Sequence, residues 1–233
     1  MLSHKSTDPL AATGALLSLL MLAGCGAGVD VPAPAQQAST EYAAASDTSE
    51  TGVSSAGPAP TAIETIQLAP VYTPLIAATI NATPYWPVWF GTGKPVDGVN
   101  CLVNGNYHKH ALISIYKNGK RLGFPDGIGR VHAGCYHAYE MHTHDVTGII
   151  HMEADVPKQF KLGQWFSLWQ QPLSRNGAAG LAGPVRFYII ENGSIKRYDG
   201  DPVQIPLLPH REVLIISGTT MTTVPKYQWP PGV

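Results

Sequence analysis

Glu140-Met141-His142-Thr143-His144-Asp145-Val146-Thr147-Gly148-Ile149-Ile150-His151-Met152-Glu153 is the stretch on which the fold and the candidate site both turn. It reads as a β-hairpin spanning about Ala138 to Ala154, with Asp145-Val146-Thr147-Gly148 as the turn. That register sets His142 opposite His151, His144 opposite Ile149 and Glu140 opposite Glu153. Side chains two apart on a strand share a face, and directly opposed residues stand about 5 Å apart. One face then collects His142, His144 and His151, with Glu140 and Glu153 beyond. The other collects Tyr139, Met141, Ile150 and Met152, an apolar surface. A single register satisfies both a core and a histidine cluster.

Working outward, Ala111 to Tyr116 alternates, with Ala111, Ile113 and Ile115 on one face and Leu112, Ser114 and Tyr116 on the other. Asn118-Gly119 supplies a tight turn. His108 and His110 continue this strand on the face opposite Ala111. A third hairpin runs from Val185 to Tyr198 around Asn192-Gly193, and its likeness to the first is a weak hint of an internal repeat. Val213 to Ser217 reads as the final strand. Leu162, Trp165, Phe166 and Trp169 recur at helical spacing, so one short amphipathic helix is expected over about Leu162 to Gln170, ended by Pro172. The expected fold is mainly β (α+β), a compact sandwich-like domain of antiparallel hairpins with that one helix.

The N-terminal part reads differently. A weakly basic start with His4 and Lys5 precedes an apolar run from Leu10 to Leu22, closed by Leu22-Ala23-Gly24-Cys25. This is the layout of an export signal, and the run is short of the about 20 apolar residues of a membrane span. Leu-Ala-Gly-Cys resembles the bacterial lipobox, which implies cleavage before Cys25 and lipid transfer to it. The plainer alternative is an ordinary signal with a chance cysteine. From Gly26 to about Gln67 the chain is Ala, Ser, Thr, Pro and Gly with scattered acids, too polar and small to offset ordering entropy. The expected organisation is a signal over 1–24, a lipidated Cys25 with a tether over 25–67, and one globular domain over 68–233. The expected location is the cell envelope, with the lipid as the membrane anchor.

The whole-chain formal net charge is −1, which argues against nucleic acid, whose recognition needs a clustered basic surface. There is no Gly-x-Ser-x-Gly elbow, phosphate loop or dinucleotide turn. Of the three cysteines, Cys101 and Cys135 remain once Cys25 is lipidated. In an oxidising compartment they are expected to form a disulfide. The rival is that one serves as a metal ligand, as in a copper-thiolate site.

Nine histidines are present. His142, His144 and His151 form the expected core of a transition-metal site. His108 and His110 join it only if the first hairpin lies beside the second. Neutral imidazole suits copper and zinc, and Asp145 or Glu153 can serve as ligand, orienting group or general base. Met141 and Met152 point away from the cluster. His132, His137 and His210 read as solvated, although His210 next to Pro209 can swing inward. Two other readings stand beside metal binding or handling. One is a metal-dependent enzyme with Glu153 or Asp145 as base. The other is a metal-free module that holds a protein or glycan through Tyr85, Trp86, Trp89 and Phe90, with the histidines a solvated or hydrogen-bonded sheet face. Such an aromatic segment more often packs into a domain edge.

Val96-Asp97-Gly98-Val99-Asn100-Cys101, Tyr107-His108-Lys109-His110, Cys135, Met141-His142-Thr143-His144-Asp145 and Gly148-Ile149-Ile150-His151-Met152-Glu153, with the Lys161–Gln171 helix, resemble a group of uncharacterised exported bacterial (lipo)proteins. The likeness covers about Pro95 to Gly218. Members often carry a third alternating histidine where this chain has Leu112, so the resemblance implies a leaner ligand set here. It implies an exported, compact domain and carries no activity with it.

Overall fold

The computed structural model describes residues 65–233. The expected signal, Cys25 and nearly all of the expected tether lie outside the described residues. In chain order the elements are β1 (Gln67–Pro74), β2 (Ala82–Pro84), β3 (Tyr107–Lys117), β4 (Lys120–Gly123), β5 (Met141–His142), β6 (Ile149–Ala154), β7 (Phe160–Lys161), α1 (Leu162–Trp169), β8 (Leu173–Ser174), β9 (Gly177–Ala178), β10 (Val185–Glu191), β11 (Ser194–Tyr198), β12 (Pro206–Leu207), β13 (Glu212–Ser217) and β14 (Thr223–Gln228). The fold is mostly β with one α-helix among the described residues, as the sequence leads one to expect.

The three hairpins form where expected. β3 and β4 turn at Asn118-Gly119, β10 and β11 at Asn192-Gly193, and β5 pairs β6 with His142 opposite His151. They assemble into one sheet in the order β11-β10-β13-β3-β4-β2, with β6 on β3 and β5 on β6. β3 is longer than either neighbour on its far side. Its first half pairs antiparallel with β6, from Tyr107↔Ala154 to Leu112↔Ile149, and its second half pairs with β4. The hairpins are not joined only by antiparallel contacts, because β13 lies parallel to β3.

The odd-numbered face of β3 carries the main core. Ala111, Ile113 and Ile115 pack there with Ile150 and Met152 of β6 and with Trp165, Phe166 and Trp169 of α1. The helix presents the expected stripe inward and ends on Gln170, whose φ of 61° breaks the helical run before Pro172. Pro172 therefore follows a stop already made by the backbone.

Besides the short strands β2, β7, β8, β9 and β12, two longer strands have no counterpart in the expected scheme. Ser217 does not end the last strand: β14 follows and pairs parallel with β1 as a two-stranded ribbon. Both strands contain proline (Pro70, Pro74, Pro225), which confines them to edges and hides their pattern. The ribbon helps to bury Tyr116, Leu214 and Ile216 through Val224 and Leu68. It also helps to bury Leu112 and Ile149 through Tyr227 and Leu75. It thus covers the other side of the sheet, and two layers enclose it.

The aromatic segment divides. Trp86 and Trp89 are buried, and their indole N–H groups donate to the carbonyls of Ala179 (2.9 Å) and Leu168 (2.8 Å). Tyr85 and Phe90 are exposed, and Phe90 stacks on His132 at 4.8 Å. Four rings do not form one platform, because the two indoles serve as straps against α1. Cys101 and Cys135 form a disulfide with a Cα separation of 5.5 Å, so neither is a thiolate ligand.

Candidate metal centre

Strand pairing builds the site. β6 lies between β3 and β5, so His151 faces His110 on one side and His142 on the other, and His108 faces Glu153. The condition on the first histidine pair is met by this arrangement: the first hairpin does lie beside the second. Gly148 makes the approach possible. Its φ is +82°, and a Cβ there would stand 2.2 Å from the Ile113 carbonyl oxygen. A side chain at this position would push β6 off β3 and part the two histidine groups. On the outer flank of β5, Ile128 N–H donates to Thr143 Oγ1 at 3.1 Å, while Thr143 N–H donates to the Ile128 carbonyl at 2.9 Å. That loop holds β5 in place with only two residues of regular strand.

The ring nitrogens meet closely. His151 Nδ1 is 3.2 Å from His108 Nε2 and 3.1 Å from His110 Nε2. His142 Nε2 is 3.0 Å from His144 Nε2. Glu153 Oε1 lies 3.2 Å from His108 Nε2, 3.6 Å from His142 Nε2 and 3.8 Å from His151 Nδ1. The five imidazoles form two triads able to hold a metal ion, His108–His110–His151 and His142–His144–His151, with the ligand atoms of each within 4.8 Å of one another. His110 and His142 are buried, His151 and Glu153 partly so, and His108 and His144 are exposed.

Burial sets the charge of the rings. It lowers the pKa of His110 to about 4, with the neighbouring His108 adding to the effect. It lowers His142 to about 4, against a hydrogen bond to the Tyr139 carbonyl that favours the charged ring. It lowers His151 to about 3, helped by His144 and His110, and it lowers His144 as well. These four imidazoles are therefore neutral at pH 7, the form that binds metals. For His142 the tautomer follows too. Its Nδ1 is 2.9 Å from the Tyr139 carbonyl oxygen, which only accepts. Nδ1 therefore carries the proton, and the Nε2 lone pair points into the cluster. This backbone carbonyl orients a ring as partners behind metal ligands commonly do, and no residue type in the sequence announces it.

The remaining acids are engaged elsewhere. Asp145 Oδ1 accepts from Thr147 N–H at 2.8 Å and from the Thr147 hydroxyl, closing the turn. Its role is to build the hairpin, whereas Glu153 alone reaches the ring nitrogens of both triads. Glu140 is bound by Lys158 Nζ at 2.5 Å and by Asn100 N–H at 2.8 Å. His210 sits next to this region through its backbone N–H, which donates to the His110 carbonyl at 2.8 Å. Its ring turns outward to the Val233 carbonyl at 2.9 Å. His132 and His137 pair with Phe90 and Tyr136, away from the cluster.

The disulfide completes the frame. Cys101 precedes β3 and Cys135 precedes β5, and the flanking backbones pair through Leu102 N–H to the Ala138 carbonyl at 2.8 Å. The bond thus ties together the approaches to both histidine-bearing strands. Comparison with protein-family models, with curated proteins and with solved structures returns no match for this chain.

Proposed function

We propose that the histidine end of the sheet binds a transition metal, zinc or copper, and that the chain is an envelope lipoprotein that binds or handles that metal. The observation that carries the reading is the convergence of imidazole nitrogens at 3.0, 3.1 and 3.2 Å. Two ligands of one tetrahedral ion with bonds of 2.0–2.1 Å lie about 3.3 Å apart, and two at a right angle about 2.9 Å. The spacing already present falls between these limits, so an ion enters with little movement of the rings.

Titration calorimetry of the chelator-stripped protein, purified without a histidine tag, tests this with Zn(II) and Cu(II). Saturable binding is expected, weakened at least about 10-fold in a His142→Ala/His144→Ala variant, since even loss of a group that only orients a ligand costs about 10–100-fold in metal affinity. Absence of binding, or binding indifferent to the substitutions, overturns it. The envelope setting rests on Cys25 and the apolar run before it. Incorporation of labelled palmitate, lost in Cys25→Ser, checks that part.

The exposure of His108 and His144 favours a second reading of the same centre. A bound ion here keeps a solvent-facing position, with Glu153 beside it as base, which is the arrangement of catalytic rather than closed structural sites. Water-proton relaxation of the Cu(II)-loaded protein distinguishes the two: a rapidly exchanging bound water is expected for the open site and none for a closed one.

A further inference from the structure

We propose that the cluster takes up two metal ions, one held by His108, His110 and His151, the other by His142 and His144, with the Glu153 carboxylate between them. This deepens the metal-binding reading and rests on it. The first argument is reach. A single ion with bonds of 2.0–2.1 Å cannot hold nitrogens more than about 4.2 Å apart, even across its full width. The five imidazoles divide into two triads rather than forming one group. The nitrogens in closest approach are those of His151 with His108 and His110, and of His142 with His144.

The second argument comes from the sheet. His108 and His110 stand on β3, and His142 stands on β5 with His144 just beyond its end, on opposite sides of β6. Adjacent strands are about 4.8 Å apart, so the pairs start from backbones nearly two strand spacings apart. Ring orientation agrees. His142 and His151 lie nearly parallel, at 15° with centroids 5.3 Å apart. His110 and His151 meet at 89°, which lets their lone pairs converge.

The third argument is charge. Two divalent ions at the about 3.5–4 Å typical of two-metal sites need an anion between them. Glu153 Oε1 is 3.2 Å from a nitrogen of the first group and 3.6 Å from one of the second. Asp145 and Glu140 are committed to the turn and to Lys158, so Glu153 is the carboxylate placed to bridge. One carboxylate leaves positive charge over, so the loaded centre has a place for a further small anion, hydroxide or an oxyanion, across the two ions.

Metal content decides the matter. The full chain, stripped and dialysed against Zn(II), is analysed by inductively coupled plasma mass spectrometry, and against Cu(II) by electron paramagnetic resonance. Two ions per chain are expected, falling to one in His108→Ala/His110→Ala and to one in His142→Ala/His144→Ala. A spin-coupled Cu(II) pair with a half-field signal is expected as well. One ion per chain, with an uncoupled Cu(II) spectrum, overturns the two-ion proposal and leaves metal binding intact. Zero ions overturns both, and two ions that survive both double substitutions place the metal elsewhere and do the same. The wild-type count needs no variant to fold.

Discussion

The even-numbered face of β3 carries two polar groups of side chains, and they behave in opposite ways. At its start, His108 and His110 meet His151 and Glu153. Farther along, Ser114 donates to the fully buried Glu212, and Tyr116 shares a 2.8 Å hydrogen bond with Tyr227. Nearby, Arg121 donates to the Thr147 carbonyl at 2.6 Å and to Thr79 Oγ1 at 3.1 Å, with its guanidinium over the Tyr227 ring at 4.4 Å. The β1–β14 ribbon caps this second group, and donors there face acceptors, with Arg121 Nε the one unmatched atom. In the first group, ring nitrogens that can all accept face one another. A buried polar group whose bonds are closed among its members supports the fold. One whose ring nitrogens crowd together could hold a cation.

Substitutions should separate the two groups. The largest effect is expected from Arg121→Ala, which removes a buried cation and uncovers the Thr147 carbonyl: a loss of about 3–5 kcal/mol in urea denaturation, with metal stoichiometry unchanged in the folded fraction. His110→Ala should do the reverse, weakening metal uptake at modest cost to stability. Equal effects of both on both readouts would erase the distinction. Next, Cys101→Ala/Cys135→Ala should cost about 2–4 kcal/mol and also lower metal affinity, because the bond frames both histidine strands.

The pH dependence sharpens the contrast further. His110, His142 and His151 have folded pKa values lowered to about 4, 4 and 3. Their contribution to the stability of the metal-free protein is present above about 6.5 and is lost as pH falls through those values. Burial raises Glu212 to about 7, against the Ser114 hydrogen bond and the Arg121 charge. Its contribution is present below the ordinary carboxyl value of 4.5 and is lost as pH rises through 7. Thermal melts of the metal-free protein are expected to weaken on both sides, with His110→Ala flattening the acid limb and Glu212→Gln the neutral one. Unchanged limbs would show that the groups do not titrate as described. Phe90→Ala should have the smallest effect, under about 0.5 kcal/mol and none on metal content, since Phe90 is exposed and stacks only on His132.

The hairpins and the His142–His151 pairing were legible because alternation fixes register: a slip of one residue would bury histidines and expose Ile150 and Met152. The juxtaposition of β3 with β6 was not legible. It is a pairing across 40 or so residues, set by packing against α1 and by Gly148 rather than by any local pattern. β1 and β14 escaped because their prolines interrupt the strand signal. The Tyr139 carbonyl that orients His142 is backbone, and the Glu212 network joins residues whose types are ordinary. Among the acids, sequence places Glu153 in the metal site and leaves Asp145 as an alternative ligand or base, and geometry shows that Asp145 spends its oxygen on the turn.

The apolar core and the histidines occupy opposite faces of β3 and β6. In small zinc modules the ion itself holds the chain together, and removing it melts them. Here Ile113, Ile150, Trp165 and their neighbours are buried among one another, on the face away from the histidines. A core of that kind does not lean on the histidine face for its packing. On the proposed metal-binding reading, loss of the ion therefore leaves the sheet folded, which suits reversible transfer better than permanent reinforcement.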